Sequence, residues 1–356
     1  MSGKAKQASV LAVGDVAATD RDRVTINDIA RLSGVSKKTV SRVINDHPRV
    51  KAETRARVKQ VMSEHGYTPN PQARALAFQQ SFLIALAYDN PSPQYVVNMQ
   101  RGVLDALDGG DYQLVLHPVD RAHPDAVSRL ERFVEQHRPA GIIMPPSVSE
   151  DERISDMLQK RGCRYVRIAS VELDEKPVLV RTHDAVGASQ AARHLASLGH
   201  TRIAHIHGPT TFRSVHERLA GFQAGLAEFG LELDPALTFE AAYTFDSGVR
   251  AADELFMRPD RPTAVFAGND EMAIGVYAAA RKVGLTIPND ISIVGYDDSP
   301  MAARVHPGLT SVRLPIRDMG KEAATALLRQ ISGVDQAENR SFQPELIIRE
   351  STRPRR

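Results

Sequence analysis

A single cysteine, Cys163, is the only thiol in this 356-residue chain. That excludes an intramolecular disulfide and any metal site built on clustered cysteines, and it fits a reducing compartment. No apolar run approaches the ~20 residues needed to cross a bilayer. The first residues carry Lys4 and Lys6, then a weakly apolar stretch from Ala8 to Ala18 broken by Gly14 and Asp15. This makes a poor signal peptide and reads as a disordered tail on a cytoplasmic chain. Phosphate-cradling and catalytic signatures are missing as well. There is no G-x-G-x-x-G after a strand, no G-x-x-x-x-G-K-[ST], no G-x-S-x-G and no H-E-x-x-H. His205 and His207 flank Ile206 on an expected strand and so share a face, but no third metal ligand lies near them in sequence. His216-Glu217 lacks the second histidine of a zincin. An enzyme reading has no constellation to rest on.

Net charge is also scarce, at +2, but it is unevenly spread. Residues 21–80 hold 12 Lys/Arg against 5 Asp/Glu, a surplus of +7, and residues 1–20 are balanced, which leaves −5 for the rest. A basic head on a mildly acidic body suits a polyanionic partner for the head alone.

Within that head, residues 24–45 carry two short helical patterns that meet at Gly34. Ile26, Ile29, Ala30 and Leu32 form the first apolar stripe. Thr25 is placed to cap the helix start, and Asp28 suits its positive end. Gly34 can supply the left-handed residue that ends the helix. Ser36 caps a second helix on which Val40, Val43 and Ile44 point one way and Lys37, Lys38, Ser41, Arg42 and Asn45 the other. This reads as helix-turn-helix. An ordinary helical hairpin with a solvated basic face has the same pattern. A third helix is expected from about Ala52 to His65, with Ala56, Val58, Val61 and Met62 in its stripe and Gly66 at its end. Asn70 and Pro71 then suit the start of a helix of about two turns, too short to be stable alone in water; it needs a copy of itself, DNA, or both, unless it is a plain linker.

From Ser81 short apolar runs alternate with helical patterns. Strands are expected at Phe82–Ala87, Gln113–His117, Gly141–Met144, Tyr165–Ile168, Arg202–His207, Thr263–Ala267 and Ile291–Tyr296. Helices are expected at about Tyr95–Leu107, Asp125–His137, Val186–Leu198, Ser214–Phe229 and Glu271–Val283. The alternation predicts parallel sheets covered by helices on both faces, and about 270 residues of it predict two similar lobes with a cleft between them. Ligands in such folds sit at the carboxyl ends of strands. Polar residues follow four of the expected strands: Asp89-Asn90, His207, Asn269-Asp270 and Asp297-Asp298. Asn269 or Asp270 would equally serve as a cap for the next helix.

These motifs together resemble the LacI/GalR family of bacterial transcription regulators over about residues 23–352. The resemblance rests on Val24-Thr-Ile-Asn-Asp-Ile-Ala30, Val35-Ser-Lys-Lys-Thr-Val-Ser-Arg-Val-Ile-Asn45, Gly66-Tyr-Thr-Pro-Asn-Pro71 and Gly199-His-Thr-Arg-Ile203. It continues in Glu217-Arg-Leu-Ala-Gly-Phe222, the stretch from Pro262 to Gly275, Val294-Gly-Tyr-Asp-Asp298 and Leu309-Thr-Ser-Val312. It implies an all-α helix-turn-helix headpiece (residues 23–69) behind a tail of residues 1–22, a hinge helix (70–80), and an α/β two-lobed core of the periplasmic-binding-protein type (81–356). The first lobe would span 81–182 and 313–342, the second 183–311 and 343–352.

The family's roles then fall on particular residues. Lys37, Lys38 and Arg42 would read base edges, with guanine the expected acceptor. Thr25, Ser36, Thr39, Ser41 and Asn45 would contact phosphates. Asn70, Ala73 and Arg74 would meet DNA from the hinge, and Leu76 would wedge into the central minor-groove step. Asp89, Tyr95, Arg218, Tyr243, Phe245, Asn269 and Asp297 would contact a sugar-like effector, with no cofactor and no metal. Three departures lie near that pocket: His183-Asp184 where an Asp-Asn or Asp-Asp pair is usual, His207 where glycine is common, and the loop from Asp89 to Tyr95. The implied protein is a cytoplasmic repressor, homodimeric on a pseudo-palindromic operator. The tail after Arg349 has no heptad seam and argues against a C-terminal tetramer coil, though it does not exclude a tetramer. A solute receptor on the same core would need the signal peptide that residues 1–20 do not make.

Overall fold

The computed structural model describes residues 24–44, 47–67, 81–171, 178–334 and 340–355. The chain divides into two compact units, one ending at Gln79 and one starting at Gln80.

The first unit contains three short helices, α1 (Ile26–Ser33), α2 (Lys37–Ile44) and α3 (Ala52–Glu64). Ile29, Ala30, Val40, Val43 and Val58 are its buried seam. The expected stripe of α1 needs one correction. Leu32 is 42% exposed, and Ser33 is buried in its place. Ser33 completes the i, i+3, i+4, i+7 pattern begun at Ile26. Its hydroxyl donates to the Ile29 carbonyl at 2.5 Å, which makes burial of a polar residue tolerable. Ala56, expected in the stripe of α3, is exposed.

The second unit has two six-stranded sheets. The first contains β1 (Leu83–Tyr88), β2 (Gln113–Pro118), β3 (Gly141–Met144), β4 (Tyr165–Ala169), β5 (Leu179–Thr182) and β11 (Arg340–Phe342), in the order β11-β5-β4-β3-β1-β2. The second contains β6 (Ile203–His207), β7 (Thr238–Glu240), β8 (Ala264–Ala267), β9 (Ser292–Asp297), β10 (Thr310–Arg313) and β12 (Glu345–Ile347), in the order β12-β10-β9-β8-β6-β7. Every pairing is parallel except β10 with β12 at the edge of the second sheet. The inner strands are buried on both faces, so they read as continuous apolar runs, for example Ala-Val-Phe-Ala in β8. Each sheet reverses its winding once, at β1 between β2 and β3 and at β6 between β7 and β8. Such switch points are where open α/β sheets bind ligands.

The helices are α4 (Pro93–Leu107), α5 (Ala126–His137), α6 (Glu152–Lys160), α7 (Asp184–Ser197), α8 (Arg213–Ala227), α9 (Phe245–Phe256), α10 (Asp270–Lys282) and α11 (Ile316–Ile331). α6, α9 and α11, together with strands β5, β7, β10, β11 and β12, go beyond the elements expected from the pattern of apolar runs. α4 and α11 cross in very close contact. A Cβ on Gly102 would fall on the backbone carbonyl of Arg317, and one on Gly320 would press on that of Met99. No helix among the described residues is long and apolar enough to cross a membrane.

Candidate functional site

The headpiece is built by local chemistry. The Thr25 hydroxyl accepts from the Asp28 N–H at 3.4 Å, and the Thr25 N–H donates to the Asp28 carboxylate at 3.0 Å, closing a capping box. The Thr25 hydroxyl also donates to the Asp28 carboxylate at 2.7 Å, and that bond, more than any other contact, holds the carboxyl below its ordinary value. Gly34 adopts φ 65° and turns the chain, and Val35 N–H returns to the Ala30 carbonyl at 3.0 Å. Ser36 then accepts from the Thr39 N–H at 3.1 Å and starts α2. The outer face of α2 presents Lys37, Lys38 and Arg42, all exposed, with Thr39 and Ser41 half-buried. Thr25 and Ser36 are therefore helix caps as well as candidate phosphate contacts. Asn45, Asn70, Ala73, Arg74 and Leu76 lie outside the described residues.

The second candidate site lies in the second unit, where the carboxyl ends of both sheets face one cleft. Tyr95 of α4 comes from the first lobe, and Arg218, Tyr243, Asn269 and Asp297 from the second. At its floor Arg218 is buried. Its Nε donates to Asp184 at 2.7 Å, one Nη donates to the Gly268 carbonyl at 2.6 Å, and the guanidinium lies 3.7 Å over the Tyr296 ring. Thr182 donates to the other oxygen of Asp184 at 2.6 Å, and the Tyr296 hydroxyl approaches at 3.3 Å. Burial alone would lower the Arg218 pKa, but Asp184 and its other neighbours outweigh it and hold the guanidinium charged. A paired, hydrogen-bonded charge is the form in which a protein interior tolerates one.

Asp297 ends β9 with φ 101°, a left-handed conformation that is strained for a residue with a Cβ. Desolvation pushes its carboxyl up to about 8, against the opposing pull of Arg218. It can therefore donate a hydrogen bond near neutral pH, which a carboxylate cannot. Asn269 is both cap and cleft residue: its Oδ1 accepts from the Met272 N–H at 2.9 Å, and its Nδ2 donates to the Tyr243 carbonyl at 3.0 Å. The Tyr243 ring covers Gly208 and meets Phe212 edge-on at 5.6 Å.

Other residues flagged at strand ends have different employment. Asp298 is held by Arg313 at 2.8 Å and Arg349 at 2.6 Å. Asp270 accepts from Ser311 and from the Ser299 N–H, both at 2.6 Å, and desolvation pushes its carboxyl up to about 7. His207 bonds the carbonyl of its neighbour Gly208. Phe245 opens α9 at 38% exposure, away from the cleft lining, and Asp89 lines an adjoining cavity instead. Thr182 and Ser214 line the cleft without having been expected there, and Asp184, expected only near the pocket, lines it too. Asp184 was visible only as an irregularity beside His183; its signal would have been the carboxyl end of β5. No group of His, Cys, Asp and Glu among the described residues could hold a metal ion.

Comparison with known proteins agrees with this architecture. Residues 25–70 match the model of the bacterial regulatory proteins of the lacI family, and residues 192–352 match a periplasmic binding protein-like domain. The HTH-type transcriptional regulator DegA of Bacillus subtilis is 34% identical over 337 residues, 93% of this chain and 99% of its own. Among solved structures, the transcriptional regulator CelR–cellobiose complex is 32% identical with a TM-score of 0.70, covering 92% of this chain and all of that one. The lac repressor dimer bound to operator and the anti-inducer ONPF is 28% identical with a TM-score of 0.79, covering 93% of this chain and 99% of that one. With a helix-turn-helix headpiece, a two-lobed core and relatives that are transcriptional regulators over their full length, the chain belongs to the lacI family of DNA-binding transcriptional regulators.

Proposed function

We propose that the chain is a repressor whose hold on operator DNA is set by a small carbohydrate-like effector bound between the two lobes, with no cofactor. The observation that carries this reading is that both lobes contribute to one cleft: Asn90 and Tyr95 from the first, Arg218, Asn269 and Asp297 from the second. A ligand that hydrogen-bonds both sides couples its own binding to the lobes' relative position. The cleft cavity is only about 30 Å³. Ligand pockets hold roughly 300–1,000 Å³, so a ligand binds a more open arrangement than this one. That difference between two arrangements is what an allosteric effector needs. A related regulator's complex with cellobiose supports a sugar as the ligand class.

On the DNA side, Lys37, Lys38 and Arg42 are assigned to base edges, and Thr25, Ser36, Thr39, Ser41 and Asn45 to phosphates. Asn70, Ala73 and Arg74 follow from the hinge segment, with Leu76 as the minor-groove wedge. A dimer on a pseudo-palindromic site is the working assembly. Anisotropy with operator DNA tests the assignment. Arg42→Ala should lose about 1–3 kcal/mol on the preferred site and less where its guanine is replaced. Equal loss on every sequence would make Arg42 a phosphate contact. Leu76→Ala binding as tightly as the parent would remove the wedge. A thermal-shift screen with neutral sugars, sugar phosphates and nucleosides reports the effector, since a ligand stabilises the folded state by mass action.

A further inference from the structure

The effector-contact candidates do not all face the same space. Tyr95, Arg218, Tyr243, Asn269 and Asp297 line the inner cleft described above, whereas Asp89 lines a second cavity of about 650 Å³. This outer chamber lies at the carboxyl ends of β1 and β2 and is bordered on its other side by Pro209, Thr211 and Phe212 of the second lobe. Asn90 and Phe212 line both chambers, so the two spaces adjoin at these residues.

Resting on the reading of the cleft as a carbohydrate site, we propose that the effector is a neutral saccharide of at least two rings, one ring held in the outer chamber and the next reaching Arg218 past Asn90 and Phe212, where the two chambers adjoin. Size is the first argument. The outer chamber, as formed, falls within the roughly 300–1,000 Å³ of small-molecule sites, and the inner cleft does not. The second is wall chemistry. Pro91, Pro118, Pro209 and Phe212 offer apolar faces, while Asp89, Asp120 and Arg129 supply hydrogen-bonding groups. A pyranose has apolar C–H faces and a hydroxyl rim that fit such a mixture. Charge is the third. In the outer chamber Asp89 and Asp120 face one lining cation, Arg129; in the inner cleft the one cation, Arg218, is already paired with Asp184. Neither has the surplus of cations that a phosphate or carboxylate would require.

Calorimetry on the full chain with cellobiose, lactose and maltose, against glucose, galactose and glucose 6-phosphate, tests the proposal. At least one disaccharide should bind tenfold or more tighter than its component monosaccharides, and the phosphate should bind no better than glucose. Thr211 is exposed and lines only the outer chamber, so Thr211→Trp fills that chamber without disturbing the core. The variant should lose the disaccharide advantage, binding disaccharide within about twofold of its own monosaccharide affinity. Monosaccharides binding as tightly as disaccharides, or Thr211→Trp leaving disaccharide binding unchanged, would overturn the two-chamber proposal and leave the carbohydrate reading standing. Tighter binding of glucose 6-phosphate would overturn its neutral-ligand part. Binding of none of these sugars would overturn the carbohydrate reading itself, and this proposal with it.

Discussion

At the scale of single residues, the cleft is a set of side chains held in costly states. Arg218 keeps its charge indoors because Asp184 and the Gly268 carbonyl occupy its donors. Asp297 has its carboxyl pushed up to about 8 by desolvation and sits in a strained backbone conformation. The pH dependence has a definite sign. Between the ordinary value of 3.8 and about 8, the folded chain keeps a proton on Asp297 that the unfolded chain has released. The stability tied to that proton is full below the ordinary value and is lost as pH rises through about 8. Melting temperature should therefore fall from pH 6 to pH 9 more steeply in the parent than in Asp297→Asn, which has no proton to lose. Parallel profiles would show that Asp297 titrates normally.

At the scale of elements, close crossings set the lobes' cores. In the α4–α11 pair, Gly102→Ala would drive a methyl into the Arg317 carbonyl, backbone that cannot turn aside. The expected loss is about 1–3 kcal/mol, the usual range for overpacking, read as a lowered urea midpoint at unchanged slope. Gly110→Ala is the milder comparison and should lose less, since its Cβ would stand 3.2 Å from the Leu107 carbonyl against 1.9 Å from the Arg317 carbonyl at Gly102. Equal midpoints for the two variants would mean that the helices part easily. Legibility in the sequence also differs by element. The headpiece was readable because its signals are local: Thr25 reaches Asp28 three residues on, and Gly34 needs only its own φ. Leu32 misled because it is apolar one position short of the i+7 site that Ser33 fills. In the core, β1, β3, β6, β8 and β9 announce themselves as buried apolar runs. β7 has three residues and no buried position, so it leaves no run. β5 is broken by the half-buried Arg181, and with β5 unseen, Thr182 and Asp184 could not be placed at a strand end. Membership of the cleft is a long-range property: Asp184 and Arg218 are 34 residues apart, and nothing in their spacing pairs them.

At the scale of the whole molecule, one hydrogen bond crosses directly from the first lobe of the core to the second. Glu150, in the 3-10 turn after β3, accepts the Arg213 N–H at the start of α8 at 3.0 Å. Phe212 gives that helix no side-chain cap, so a carboxylate from the first lobe caps a helix of the second. It also lies at the positive end of the helix dipole. Its other oxygen is buried without a partner among the described residues, and desolvation raises the carboxyl's pKa. The clasp is thus only partly satisfied. Linkage then requires that whatever factor an effector applies to operator affinity, the operator applies to effector affinity. Glu150→Ala removes the clasp and should lower stability by about 1–3 kcal/mol, the cost of an unmade buried bond. The same variant should bind effector more tightly than the parent, because apparent affinity is divided by the fraction of molecules already competent to bind, and opening becomes easier. Glu150→Gln keeps an acceptor for the Arg213 N–H and should fall between the two in both measurements. Calorimetry paired with thermal melts separates the possibilities: a variant that loses stability and effector affinity together has merely been damaged, whereas opposite movement of the two places Glu150 on the equilibrium that the effector uses.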